Sequence, residues 1–245
     1  MSEDQKTAVI TGAAGAIGGA IAQLLVEDGW EVVGLDLRKG QSSSVEWVVT
    51  DVTDSHQLET TAKNLDRCDF LVNAAGFGDR APAAEMTPAQ WESVISGCLS
   101  GTFYSCKAFY QQLAARGGVI VNIASAAATN ALATHANYCS AKAGVVALTE
   151  VLALEWAKEG IRGLAVSPGF VATPKQKLGF ETAPKLLGGI EASTPMGRLA
   201  EVAEIAEAVV SLAGSQFSYL TGENIVIDGG FSTDGGSSHL FAAYE

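Results

Sequence analysis

The stretch "TGAAGAIGGA", residues 11–20, decides the fold because it joins a buried apolar run to an amphipathic helix pattern. It follows "TAVI" at residues 7–10, and after it Ile17, Ile21 and Leu24 recur on one face of a helix. Small residues let a backbone approach a ligand closely, and free N–H groups at a helix start attract a pyrophosphate. Strand, glycine-rich turn and helix in this order predict a dinucleotide-binding unit.

Outward from this unit, short apolar runs alternate with helical patterns. The runs are "TAVI", "EVVGL", "VEWVV", "DFLV", "VIVNI", "GLAVS" and "NIVI". Nearly continuous apolar strands are typical of a parallel sheet that helices cover on both faces. We expect the 245 residues to form one α/β domain, a Rossmann-type doubly wound parallel sheet flanked by helices.

Two segments have irregular composition. Residues 175–200 mix Gly, Pro and short apolar pieces, which predicts a mobile loop with a small helix. Residues 231–245 begin polar and Gly-rich and end with aromatic side chains. This tail either docks on a neighbouring surface or frays, and the sequence leaves both open.

Composition excludes several classes of partner. The formal net charge of −12 argues against nucleic acid, because phosphate contacts need clustered Lys and Arg. No apolar run is long enough for a bilayer, so we expect no membrane partner. The four cysteines form no CxxC pair and the three histidines are scattered, so no metal site is predicted. Free thiols favour a reducing compartment, and we expect a cytoplasmic protein.

The second strand ends at Asp36, which stands 18 positions after Gly18. A carboxylate at about this distance binds the ribose hydroxyls of a dinucleotide and repels a 2′-phosphate, which favours NAD over NADP. Arg38 and Lys39 follow closely and could weaken this discrimination, and a solvated turn aspartate is the alternative interpretation. Asp36 and Asp51 are only 15 positions apart, which leaves little room for a helix between their strands.

The stretch "NYCSAKAG", residues 137–144, places Tyr138 and Lys142 one helical turn apart. A cation about 4 Å away stabilises phenolate by roughly 4 kcal/mol at an effective dielectric constant of 20. Tyr138 could therefore exchange a proton with an alcohol or carbonyl oxygen. Ser125 closes the strand "VIVNIAS", at the edge of an open α/β sheet where ligands bind, although a turn serine is the ordinary alternative.

Together these pieces resemble the short-chain dehydrogenase/reductase family over nearly the whole chain. The matching motifs are "TGAAGAIG", Asp36, "DV" at 51–52, "NAAG" at 73–76, Ser125, "YCSAK", "SPGFVATP" and "YLTGENIVIDGG". The resemblance implies an NAD-dependent oxidoreductase that interconverts a secondary alcohol and a ketone. It also implies a homotetramer with two-fold symmetry, formed through helices that include residues 138–158.

The resemblance also assigns roles to residues. Ser125, Tyr138 and Lys142 are the implied catalytic residues, and Ser125, Ala127, Tyr138 and Phe170 the implied substrate contacts. The implied cofactor-binding residues are Gly12, Gly15, Ala16, Ile17, Gly18, Asp36, Leu37, Asp51, Val52, Asn73, Ala74, Ala75, Gly76, Tyr138, Lys142, Pro168, Gly169, Val171 and Thr173. Residues 175–200 correspond to the variable substrate loop. Further pocket candidates are Phe77, Asp79, Arg80, Asn130 and His135, and for His135 an ordinary loop position is an equally good interpretation.

Two positions depart from the family pattern. Ala16 stands where the family carries the middle glycine of its phosphate turn, and we expect this small residue to preserve cofactor binding. Cys98 stands where the family carries a catalytic asparagine, and a thiol cannot reproduce an amide's hydrogen-bonding geometry. Two interpretations therefore remain open: an enzyme with a modified proton relay, and an NAD-binding regulatory protein with little or no turnover. A hydrolase is disfavoured because no G-x-S-x-G motif is present.

Overall fold

All seven apolar runs form strands of one sheet. A computed structural model describes residues 5–234. The strands are β1 (Thr7–Thr11), β2 (Glu31–Asp36), β3 (Glu46–Val49), β4 (Phe70–Asn73), β5 (Val119–Ile123), β6 (Arg162–Pro168) and β7 (Asn224–Ile227). Their spatial order is β3-β2-β1-β4-β5-β6-β7, and all neighbours are parallel. The predicted doubly wound parallel sheet in a single domain is confirmed.

Helices cover both faces of this sheet. They are α1 (Ala16–Glu27), α2 (Ser55–Lys63), α3 (Pro88–Ile95), α4 (Gly101–Ala114), α5 (Ala136–Trp156), α6 (Pro174–Thr182), α7 (Pro184–Ser193), α8 (Val202–Ser211) and α9 (Phe231–Asp234). Between α3 and α4 the chain forms one π-helical turn, Ser96–Ser100. Such wide turns inside α-helices are frequent at functional sites.

The central strands are largely apolar because their two faces belong to two separate cores. Ile10 and Val72 pack with α1 and α8 on one face, while Val9 and Leu71 pack with α2, α4 and α5 on the other. Successive residues of a strand point to opposite faces, so a strand buried on both sides is apolar at most positions.

The chain reverses its direction of winding at β1, whose neighbours are β2 and β4. The connections from the carboxyl ends of β1 and β4 therefore diverge and leave a crevice between them. In open α/β sheets this topological switch point is where ligands bind.

The connection from β2 to β3 contains no helix, as the short spacing predicts. The ring of Trp47 on β3 packs over Gly34 of β2 and Gly40 of this connection instead. A Cβ atom on Gly34 would lie 2.9 Å from the ring, and one on Gly40 would lie 2.3 Å from it. The missing Cβ atoms are what allow an indole to fill this space.

Residues 175–200 contain more helix than the sequence predicts. Helices α6 and α7 begin at Pro174 and Pro184, which stand at the first helical position where a missing N–H costs nothing. Pro184, which lies in the predicted loop, therefore starts a helix. The predicted tail at 231–245 contains α9, and beyond Asp234 it lies outside the described residues.

Candidate active site

The turn after β1 brings three chain segments into close contact. Gly12 has φ +68°, and a Cβ there would lie 2.6 Å from the backbone N of Ala75. A Cβ on Gly18 would lie 2.4 Å from the carbonyl oxygen of Gly12. Both positions therefore require glycine, because the obstructing atoms are backbone. The result is a flat, side-chain-free floor where β1, α1 and the segment after β4 meet.

The substituted position Ala16 starts α1, with Gly15 as the preceding cap residue and no side chain capping the helix. The N–H groups of the first turn, including Ile17 and Gly18, have no partner within the helix. Such a group of donors, reinforced by the helix dipole, can hold an anion. Alanine at the first helical position leaves these N–H groups free, and preserved cofactor binding at Ala16 stays a prediction.

A cleft of about 540 Å³ extends over this floor at the switch point. Most of the residues predicted to bind the adenosine and phosphates of the cofactor line this cleft. Phe77, Ser93, Ser96 and Gly97 line it as well. The lining includes Gly12, Gly15, Asp36, Leu37, Asp51, Val52, Ala74, Ala75, Gly76, Phe77, Ser93, Ser96 and Gly97. Asp51 is held in place by hydrogen bonds that its carboxylate accepts from the N–H and hydroxyl of Thr53, at 2.9 and 2.8 Å.

The Asp36 carboxylate lies at the end of β2 and lines this cleft. It accepts hydrogen bonds from the backbone N–H groups of Ala14 at 3.1 Å and Arg38 at 3.4 Å. The side chains of Arg38 and Lys39 border a different cavity of about 400 Å³, between α1 and Trp47. Gly15 lines both cavities, so Arg38 and Lys39 border a space that adjoins the cleft but do not line the cleft itself.

Asn73 supports the cleft instead of lining it. Its amide donates to Asn122 at 2.8 Å and to the Cys106 thiol at 3.2 Å, and Asn122 in turn donates to Thr149 on α5 at 2.9 Å. Burial raises the pKa of the Cys106 thiol to about 12, although its hydrogen bonds with Asn73 and Asn122 act to lower it. The thiol therefore remains protonated. This buried network ties β4 and β5 to α5, and a direct cofactor contact of Asn73 stays a prediction.

The structure brings Tyr138 and Lys142 together on α5. The Lys142 Nζ lies 5.8 Å from the centre of the Tyr138 ring, and it donates to the carbonyl of Ile123 at 2.6 Å. The Lys142 residue is only 4% exposed. A Cβ added at Gly76 would lie 3.4 Å from Nζ, so the ammonium packs against the segment that borders the cofactor cleft. The predicted cation next to the phenol is present.

Ser125 follows β5 and precedes the short 3₁₀-helix Ala126–Ala128. Its hydroxyl oxygen accepts from the N–H of Ala127 at 3.1 Å, which leaves the hydroxyl hydrogen for another acceptor. The turn role and the substrate role are therefore compatible. The predicted substrate contact Ala127 is buried, and Phe170 packs edge-on against Phe231 at 5.2 Å between ring centres.

The residues predicted around the nicotinamide are held where β6 ends. A Cβ on Gly169 would lie 2.7 Å from the Asp228 Cα, so only glycine allows β6 and β7 to approach this closely. Pro168 ends β6, Val171 is buried and bridges to Ala200, and the Thr173 hydroxyl caps α6. The cofactor contacts of these residues remain predictions.

Cys98 lies on the π-helical turn, fully buried. Its thiol donates to the carbonyl of Phe77 at 3.3 Å, and its own carbonyl accepts from the Thr102 hydroxyl at 2.8 Å. A Cβ on Gly76 would lie 3.1 Å from Sγ, so the thiol fills the space beneath the cleft segment.

Sequence reasoning missed Asn137, which is completely buried. Its amide nitrogen donates to the carbonyls of Asp79 at 2.9 Å and Gln90 at 3.1 Å, and its oxygen accepts from the N–H of Tyr138 at 2.7 Å. It thereby fixes the start of α5 to α3 and to the segment after β4. Its place directly before Tyr138 is visible in the sequence, but its partners are 58 and 47 positions away.

The glycine-rich turn, Asp36 at the end of β2 and the Tyr138–Lys142 pair on α5 are together typical of a dinucleotide-binding oxidoreductase. Comparison with known proteins agrees. A family model described as enoyl-(acyl carrier protein) reductase matches residues 12–232. A D-threitol dehydrogenase of Mycolicibacterium smegmatis is 37% identical, with 94% of each chain covered. An NAD-dependent glycerol dehydrogenase of Listeria innocua is 32% identical, with 93% of this chain and 94% of that protein covered.

A solved gluconate 5-dehydrogenase from Burkholderia cenocepacia, in complex with NADP and tartrate, superposes with a TM-score of 0.88. It is 28% identical, and the match covers 94% of this chain and 96% of that one. The chain therefore belongs to the short-chain dehydrogenase/reductase family, and it is an oxidoreductase. Within residues 5–234, no helix has the length and apolarity to cross a membrane.

Proposed function

We propose that the protein is an NAD-dependent oxidoreductase that interconverts a secondary alcohol and a ketone. The observation that carries the proposal is the buried ammonium of Lys142 one turn from Tyr138, packed against the border of the cofactor cleft. Tyr138 carries an exchangeable proton and has a buried ammonium beside its ring, which suits it to proton exchange with a substrate oxygen.

The residues present fit a nicotinamide dinucleotide. The glycine floor permits close approach of a pyrophosphate, the first turn of α1 offers N–H donors, and Asp36 offers acceptors for ribose hydroxyls. When bound, the nicotinamide would accept or supply the hydride. Ser125 would hold the substrate oxygen, Tyr138 would take or return its proton, and Lys142 would stabilise the phenolate and hold the ribose.

The preference for NAD rests on the separation of charges around the cleft. Asp36 lines it, whereas Arg38 and Lys39 border the other cavity. A 2′-phosphate on the ribose would be repelled by this carboxylate. The Listeria innocua relative is named as NAD-dependent, and the Burkholderia cenocepacia structure holds NADP, so the comparisons alone do not decide. We expect kcat/KM to be at least about tenfold higher with NAD than with NADP, a difference of about 1.4 kcal/mol.

Small hydroxylated compounds are the proposed substrates, since relatives are named for D-threitol, glycerol and gluconate. The proposed homotetramer is supported by apolar side chains left exposed on α4 and α5, among them Phe103, Val151 and Leu154, the last 81% exposed. The cytoplasmic location stays a prediction.

Replacing Tyr138 with phenylalanine tests the mechanism. Turnover of alcohols with NAD should fall by about 10²- to 10⁴-fold, the range of general acid–base catalysis, because the ring remains and the exchangeable proton is lost. NADH binding, measured by fluorescence titration, should stay within about twofold. A variant that keeps activity within about tenfold of the original protein would falsify this role for Tyr138.

The second candidate is an NAD-binding regulatory protein with little turnover, and Cys98 is the observation that favours it. The thiol replaces the family's asparagine and is engaged with the Phe77 carbonyl. A panel of secondary alcohols and ketones, followed by absorbance of the reduced nicotinamide, separates the two functions. NADH binding without turnover across the panel would favour regulation.

A further inference from the structure

The turn that leads into α5 contains a strained residue. Thr134 has φ +65°, and it is the one non-glycine residue with positive φ in the described part of the chain. A β-branched residue rarely adopts this conformation, because its side chain crowds the backbone. Strain of this kind persists where the surrounding structure holds it, and it clusters at ligand sites.

The strained turn positions His135 beside the proposed acid–base residue. The Thr134 carbonyl accepts from the N–H of Ala81 at 3.0 Å, which anchors the turn to the segment after β4. The His135 Nδ1 lies 2.8 Å from the carbonyl oxygen of Ala133. The imidazole meets the Tyr138 ring edge-on, with ring centres 6.4 Å apart and planes inclined by 69°.

The hydrogen bond at Nδ1 determines what the other ring nitrogen can do. The Thr134 hydroxyl lies 3.4 Å from the same nitrogen, but the Ala133 carbonyl oxygen at 2.8 Å is the nearer partner and can only accept, so we assign the proton to Nδ1. In the neutral imidazole Nε2 then holds a lone pair and is an acceptor. Within residues 5–234 Nε2 makes no hydrogen bond. The Nε2 atom of His135 therefore offers a hydrogen-bond acceptor near Tyr138. Such an acceptor can bind a hydroxyl group, which donates its proton to the hydrogen bond.

We infer that His135 is a specificity-determining residue that accepts a hydrogen bond from a second substrate hydroxyl, on the carbon next to the reacting one. This inference rests on the proposed function and narrows its substrates to vicinal diols and the corresponding α-hydroxy ketones.

The test compares alcohols of one carbon skeleton with NAD: 2-butanol against 2,3-butanediol, and cyclohexanol against 1,2-cyclohexanediol. The original protein should prefer the diol of each pair. His135→Phe should lower kcat/KM for the diols about three- to tenfold, the value of one neutral hydrogen bond, with little change for the monoalcohols. His135→Gln, which retains an acceptor, should keep most of the preference. His56→Phe, an exposed histidine on α2, is the matched control.

His135→Ala is measured beside His135→Phe, because its small side chain cannot clash with the Tyr138 ring and should cause the same selective loss. Equal loss for both members of each pair, or no preference for diols in the original protein, would overturn the inference while leaving the proposed function standing. Absence of turnover of all four alcohols, and of their ketones with NADH, would instead remove the proposed function and the inference with it.

Discussion

Replacing Asn137 with alanine removes three hydrogen bonds at the start of the helix that carries the proposed acid–base pair. Its side chain is completely buried, and every polar atom of the amide is used. Each such bond contributes about 1 kcal/mol net, and more where a buried partner is left unsatisfied. The Gln90 carbonyl keeps the Ser93 hydroxyl as a donor, while the Asp79 carbonyl has no second donor within residues 5–234. We therefore expect the free energy of unfolding to fall by about 2–4 kcal/mol.

Urea denaturation followed by circular dichroism, at a fixed protein concentration, measures this loss. Asn64→Ala is the matched control, because Asn64 is exposed at the end of α2 and its side chain makes no hydrogen bond in the described structure. The control should stay within about 0.5 kcal/mol of the original protein.

The same change should reduce turnover under conditions where the variant is folded. Asn137 binds the Asp79 carbonyl and so holds the segment that contains Gly78, which packs against the Tyr138 ring: a Cβ on Gly78 would lie 3.7 Å from that ring. Without the Asn137 amide, this segment would be free to move away from the ring. We expect kcat to fall about tenfold or more, since small displacements of catalytic groups are costly. If Asn137→Ala and Asn64→Ala were equally stable, the buried amide would contribute no net stability and this reasoning would be refuted.

Two further predictions concern the phosphate turn and the end of the sheet. Gly18→Ala should weaken NADH binding more than tenfold, because its Cβ would lie 2.4 Å from a backbone oxygen, while Gly19→Ala, with 3.2 Å, should cost less than about threefold in a fluorescence titration. Partial burial of Asp228 opposes ionisation, but hydrogen bonds from Ser232 and Gly230 prevail and lower its pKa from 3.8. Its stabilisation is present above pH 3.8 and is lost as the pH falls through the lower folded value. Asp228→Asn should therefore cost about 1 kcal/mol at pH 7 and progressively less in acid; a difference independent of pH would contradict this.

The phosphate turn illustrates how much of the site the sequence could predict. Gly12, Gly18 and Asp36 were recognisable because a turn between a strand and a helix is a local structure, with fixed spacing and a known chemical purpose. The Tyr138–Lys142 pair was predictable for the same reason, since one helical turn fixes the distance between side chains four positions apart. All seven strands were predictable from their apolar runs.

Contacts between distant segments could not be predicted in this way. The Cys98 thiol faces the Phe77 carbonyl, the Asn137 amide faces Asp79, and the Lys142 ammonium faces the Ile123 carbonyl. None of these partners is marked by residue type, because a backbone carbonyl looks the same in every residue. The positive φ of Thr134 was also hidden, since threonine does not indicate that conformation.

The sequence by itself determined the parallel sheet, the glycine-rich turn and the pairing of Tyr138 with Lys142, because each depends on periodicity or on short spacing along the chain. Only the tertiary structure decided that Asp36 lines the cleft while Arg38 and Lys39 line an adjoining cavity, and that His135 lies against Tyr138 with one nitrogen already bonded. The physical reason is that side-chain direction and hydrogen-bond partners depend on how separate segments pack, and packing joins residues that are far apart in the chain.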